Sequence, residues 1–205
     1  MSTDVKITYV NNSMNPDEPT IFVFTKNEIP TFDVLKHGIA WRTLSNIGKG
    51  SSTCLVYPVT SYVQAMWGTC NKTVMLSADI GKRYAVEKDS TGIVLTEVGQ
   101  ASQATAIEVS SLVNVEGGIR AQLVKDGSVL MEKKIVAYGQ KATFILHPKL
   151  YWGIASEIQE GQSISSAVLN TDQFWCQDIE GVNSAVVTLT GNPNEGYKFV
   201  VENLA

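Results

Sequence analysis

The chain has 205 residues, of which 44% are hydrophobic and 18% charged, with a formal net charge of −4. That balance belongs to a globular protein able to bury a full core, and it excludes a disordered chain. An acidic sequence whose longest basic run is a pair such as Lys133-Lys134 also excludes nucleic acid and anionic membrane surfaces as expected partners, since both need clustered Lys and Arg.

Short strands bounded by Gly, Asn, Asp or Pro fill the first half. They are expected at Val5–Val10, Thr20–Lys26, Ile39–Leu44, Ser51–Tyr57, Tyr62–Trp67, Thr73–Ala78, Arg83–Glu87 and Gly92–Glu97. One segment competes as helix, Ile29–Gly38, with Thr31 as N-cap and Gly38 as the stop. The small polar stretch Gln100–Thr105 reads as a join. Strands then follow at Ala106–Val113, Ile119–Val124, Val129–Ala137, Ala142–His147, Leu150–Ala155, Ser163–Leu169, Phe174–Asp178, Ser184–Thr190 and Tyr197–Glu202. Asp126-Gly127 predicts a tight hairpin, because both positions tolerate positive φ. Asn192–Gly196 is a second turn cluster.

The sequence echoes itself. Thr53–Ala65 aligns with Thr143–Ala155, with the Thr, Pro and Ala positions identical and Tyr62 set against Trp152. Gly81–Glu87 aligns with Gly196–Glu202, and more faintly Phe22–Asn27 with Ala121–Asp126. The order of the echoes is the same in both halves. The expected fold is therefore all-β: a duplicated antiparallel β-sandwich, immunoglobulin-like or similar, with one repeat over 1–100 and a second over 104–205. The segment between Lys26 and Thr53 is longer than its counterpart and is the main insertion of the first half.

The sequence holds no GxSxG, P-loop or dinucleotide fingerprint. Gly48-Lys49-Gly50-Ser51-Ser52 lacks the upstream glycine of a phosphate loop and reads as a hairpin turn. A two-histidine iron site would need both His37 and His147. His147 aligns with Tyr57, and a ligand position would not tolerate Tyr in its own echo. Asn11–Pro19 is oxygen-rich, but its adjacent acids Asp17 and Glu18 are too few for calcium, and it reads as a solvated loop. Cys54, Cys70 and Cys176 have no CxxC spacing; they read as reduced thiols, with Cys54 a small hydrophobe inside a strand, and a Cys54–Cys70 or Cys70–Cys176 bridge is the alternative. No cofactor, metal or catalytic residue is expected.

No run reaches the length of a membrane-spanning helix. The opening Met1–Val10 enters a strand directly, without the basic and apolar regions of a signal peptide. A cytoplasmic protein, or one exported without a cleavable signal, is the expectation.

Aromatics are the remaining resource. Tyr151-Trp152 and Phe174-Trp175 each put two rings on opposite faces of a strand, so one ring of each pair is expected in the core and the other can face outward. The echoed strand–Pro–strand corners at Pro58 and Pro148 place Tyr57, Tyr62, His147, Tyr151 and Trp152 as a candidate ligand-binding set, since proline restricts how the preceding residue points. The opening, with Asn11-Asn12-Ser13, Pro19–Asn27 and Ile39–Arg42, resembles a group of small, uncharacterised bacterial all-β proteins. That resemblance implies a bacterial origin and no transferable activity. The function expected is a non-catalytic module binding carbohydrate or lipid through loops and exposed aromatics. The alternatives are a self-assembling homo-oligomeric structural protein, or an enzyme whose site the sequence does not reveal.

Overall fold

The computed structural model describes residues 3–15, 19–170 and 173–204. Strands take up 55% of the described residues and helices 4%, which fixes the all-β class. In chain order the first strands are β1 (Val5–Asn11), β2 (Thr20–Phe24), β3 (Arg42–Leu44), β4 (Ser52–Tyr57), β5 (Tyr62–Trp67), β6 (Asn71–Lys72), β7 (Leu76–Ser77), β8 (Lys82–Lys88) and β9 (Ile93–Gln100). The rest are β10 (Ala106–Ser111), β11 (Ile119–Lys125), β12 (Ser128–Val136), β13 (Lys141–Ile145), β14 (Lys149–Glu157), β15 (Val168–Leu169), β16 (Trp175–Asp178), β17 (Ser184–Asn192) and β18 (Gly196–Leu204).

The contacts divide these strands into two compact units, each discontinuous in sequence. Unit 1 comprises 1–26, 38–59 and 148–205; unit 2 comprises 27–37 and 60–147. The consecutive division 1–100 and 104–205 expected from the echoes is thus not the division of the contacts. The chain changes unit at Val59/Thr60 and at His147/Pro148, inside both copies of the first echo.

Unit 1 is a sandwich of two sheets. One runs β18-β17-β1-β4, and the other β15-β14-β2-β3 with β16 also on β14. Pairing is antiparallel except between β1 and β17, which lie parallel with Lys6–Asn11 against Ser184–Leu189. Alternation puts Val5, Ile7 and Tyr9 of β1 inside. The Tyr9 ring stacks on Trp152 of the facing sheet at 6.3 Å between centroids, and Phe199 closes on Trp152 from β18 at 5.9 Å. Trp152 is fully buried, and its indole N–H donates to Gln177 Oε1 at 3.0 Å, so this buried donor is paired. On the other face of the same sheet, Phe24 stacks on Tyr151 at 5.3 Å and meets Phe174 edge-on at 5.1 Å.

Unit 2 is a second two-sheet sandwich, with orders β13-β10-β8-β9 and β12-β11-β5-β6, and β7 also on β5. Its one parallel pair is β8 with β10. Tyr84, Ile107, Val109, Leu123, Leu130 and Phe144 form the buried centre. The β11–β12 turn has Asp126 at φ 48° and Gly127 at φ 76°, the double positive φ that the Asp-Gly pair predicted.

Local expectations change at several places. Thr73–Ala78 is strand only at Leu76–Ser77, because Thr73 Oγ1 accepts from the Ala65 N–H at 3.1 Å and donates to the Val74 carbonyl at 2.9 Å, competing with the ladder. The helix is a single turn, Val34–His37, capped by Asp33 in place of Thr31: the Asp33 carboxylate accepts from the Leu35 and Lys36 N–H groups at 3.0 and 3.3 Å. Ser163–Leu169 is not one strand. Ile164–Ser166 form a 3₁₀ turn, because Ser166 Oγ donates to the Ser163 carbonyl at 2.6 Å and so competes with the ladder. Cys54 is exposed, since β4 turns Leu55 and Tyr57 inward and leaves Cys54 on the opposite face.

Gly153 of β14 lies opposite Phe22 of β2, and a Cβ there would come within 2.6 Å of Phe22 Cε1. Gly153→Ala is expected to cost about 1–3 kcal/mol by overpacking. The check is the thermal midpoint, which falls by several degrees; an unchanged midpoint contradicts this packing.

Candidate functional site

The five residues of the Pro58 and Pro148 corners divide between the units. Tyr57, Tyr151 and Trp152 belong to unit 1, and Tyr62 and His147 to unit 2. Tyr57 is buried against Trp41, with ring centroids 5.4 Å apart, and burial pushes its phenol pKa well up. Trp152 lies in the core described above, and Tyr151 is 9% exposed beneath the Lys26 ammonium, 4.1 Å from its ring centroid. Tyr62 and His147 are exposed. Burial therefore takes three of the five rings away from solvent.

His37 is bound within its own turn, where its Nδ1 accepts from the Asp33 N–H at 3.0 Å. Among the described residues no group of three or more His, Cys, Asp and Glu side chains could hold a metal ion. Asp17 and Glu18 of the oxygen-rich loop lie outside the described residues. All three cysteines are free and exposed.

The surface with a ligand-like composition is a cleft of unit 1, about 310 Å³ in volume, lined by Asn15, Asn170, Gln173, Trp175, Pro193, Gly196 and Tyr197. Its size is at the lower end of the roughly 300–1,000 Å³ of small-molecule clefts. Backbone geometry builds it from three directions. First, β1 runs out into Asn15 through an Asx turn in which Asn11 Oδ1 accepts from the Ser13 N–H at 2.9 Å and from its hydroxyl at 2.6 Å. The Met14 N–H then donates to the Gly191 carbonyl at 2.8 Å, which ties that exit to β17.

Second, the β17–β18 hairpin supplies Pro193, Gly196 and Tyr197. Its tip is fixed by Asn192 Oδ1, which accepts from the Asn194 and Glu195 N–H groups at 2.9 and 3.0 Å, while Asn192 Nδ2 donates to Glu195 at 2.8 Å. Third, β16 brings Trp175, which sits opposite Trp152 in the ladder and packs edge-on against Phe199 at 4.8 Å between centroids. Asn170 reaches the rim with its side-chain oxygen accepting from Ser156 Oγ at 3.0 Å. Trp175 and Tyr197 are half-buried, and Asn170 and Gln173 are exposed.

Among the described residues the lining thus joins three side-chain amides, two part-exposed aromatic rings and no ionised side chain. Amides both donate and accept, and ring faces take apolar C–H surface. Asn15 also lines a neighbouring cavity of about 160 Å³, whose inner wall includes Tyr9, Ile21, Leu44 and Leu189. Sequence reasoning singled out Trp175 and the Asn192–Gly196 turn separately. Nothing in the linear order sets them beside Asn15.

Unit 2 has a different polar feature. Glu108 of β10 is 1% exposed, and its Oε1 accepts from Ser102 Oγ and from Lys141 Nζ, the latter at 2.6 Å. Lys141 also donates to Ser102 Oγ at 2.5 Å. Oε2 is buried with no hydrogen-bond partner. Burial pushes the Glu108 carboxyl up, but the bonds from Lys141 and Ser102 outweigh it and hold its pKa below the ordinary glutamate value. The cluster fastens the connection between β9 and β10 to its sheet.

No protein-family model, curated protein or solved structure matches the chain. No helix among the described residues is long and apolar enough to cross a membrane.

A carboxyl whose folded pKa lies below its unfolded value stabilises above the unfolded pKa, and that stability is lost as pH falls through the folded one. Glu108→Gln is therefore expected to lower stability by about 1–3 kcal/mol at neutral pH. The gap between the two proteins narrows as pH drops below about 4. Denaturant titrations at pH 7 and in acid measure it, and a gap that widens on acidification contradicts the assignment.

Proposed function

We propose that the protein is a non-catalytic carbohydrate-binding module and that its ligand is an uncharged sugar held in the unit 1 cleft. The observation that carries this reading is the lining, which among the described residues joins three side-chain amides and two part-exposed rings. Sugar hydroxyls need partners that donate and accept at close spacing, which Asn15, Asn170 and Gln173 offer. The C–H face of a pyranose needs a ring, which Trp175 or Tyr197 offers. A lipid tail would call for an apolar tunnel, and an acidic sugar for Arg or Lys in the wall; the described part of the lining has neither.

A glycan array, followed by calorimetric titration of the best neutral oligosaccharide, tests the proposal. Tyr197→Ala and Trp175→Ala are each expected to weaken binding by roughly three- to tenfold, the worth of about 0.5–1.5 kcal/mol for one stacked ring. Tyr62→Ala, in unit 2, leaves affinity unchanged. An array blank for neutral sugars, or binding unaffected in both ring variants, overturns the reading.

A further inference from the structure

The same connectivity occurs twice, and it is interleaved. Replace β1 to β9 by β10 to β18 in order, and the reverse. The unit 1 sheet β18-β17-β1-β4 becomes β9-β8-β10-β13, the order found in unit 2. The sheet β15-β14-β2-β3 becomes β6-β5-β11-β12, again the order found. The additional pairing of β16 with β14 becomes that of β7 with β5. Strand direction follows the same rule: β1/β17 and β8/β10 are the parallel pairs, and β2/β14 and β5/β11 are both antiparallel. The second sequence echo alone departs from this scheme, since it sets β8 against β18 where strand order sets β8 against β17.

Each unit therefore takes the first four strands of one half and the last five of the other. The central pair of every sheet comes from opposite halves: β1 with β17, β2 with β14, β8 with β10, and β5 with β11. The insertion of the first half obeys a related logic. Residues 27–37 leave unit 1 between β2 and β3 and join unit 2, where Asn27 Nδ2 donates to the Thr143 carbonyl at 2.8 Å and Asn27 Oδ1 accepts from the Ile145 N–H at 2.9 Å.

We infer that the halves 1–103 and 104–205 are reciprocal binding partners that exchange strands within one chain, and that the peptide link between them is dispensable for holding the structure together. A half alone would present the bare edges of β1 and β2, or of β10 and β11, each the centre of a sheet. Unpaired backbone N–H and C=O groups there demand a partner. The partner that fits in register is the other half. The linking segment lies at the surface, with Ser102, Gln103 and Ala104 all exposed, so a cut there severs no ladder.

The test uses the full chain with a protease-cleavable linker inserted between Gln103 and Ala104; a second variant carries it between Ser102 and Gln103 in case the first perturbs folding. After cleavage the two fragments are expected to elute together at the mass of the intact chain, down to nanomolar concentration. Mixing isotope-labelled with unlabelled cleaved protein gives hybrids only at the rate of global unfolding. Fragments that part under native conditions while keeping their β circular dichroism, or hybrids that form without unfolding, would show self-contained consecutive halves and overturn the inference.

Discussion

The backbone hydrogen bonds between β1 and β17 hold the rest of unit 1 in place. This parallel pair joins residues nearly as far apart in the chain as it allows, with Lys6 against Ser184 and Asn11 against Leu189. A parallel pair cannot be closed by a tight turn; it needs a long crossover. Here the crossover includes the whole of unit 2. The closure entropy of so long a connection grows only slowly with length, so the pairing is thermodynamically accessible, but contacts of such separation form late and slowly. Once formed, the seam aligns Tyr9 of β1 for its stack on Trp152, and the β2/β14 seam beside it lets the Phe22 ring cover the bare backbone of Gly153.

The proposed binding cleft inherits this dependence. Asn15 follows β1, whereas Trp175 and Tyr197 lie on strands from the other end of the chain. The Met14-to-Gly191 hydrogen bond extends the seam to the edge of the cleft. A ligand there would bridge both ends of the sequence, and its binding would stabilise their pairing by simple linkage. The rings that line it are set by packing behind them: Trp175 leans on Phe199, which leans on Trp152. The cleft is thus an extension of the core, with amides added where the strands run out.

Much of the β framework was legible. Tyr62–Trp67 was read to its ends, and the Asp126-Gly127 hairpin was read from its turn chemistry, because both depend on neighbouring residues. Sequence and structure part where side chains compete with the ladder, as the serines of 163–166 do, or where two residues can cap one helix, as Thr31 and Asp33 can. The echoes set strands of one half against strands of the other but do not say which partner each chooses. Similar strands have similar edges, and pairing within a half or across halves leaves the same periodicity in the sequence. That is also why the Pro58 and Pro148 corners read as a site. The chain passes between units at both corners, and Tyr57 and Trp152 beside them are buried. The cleft gave no linear signal, since its amides come from segments that only the fold brings together.

Native-state hydrogen exchange, resolved residue by residue over a denaturant series, addresses the interleaving most directly. Amides of β1 and β17 should open together with one free energy, as should those of β8 and β10, because each pair shares a single ladder. Opening that instead groups β1 with β8 and β10 with β17, following the order of the sequence, would contradict it.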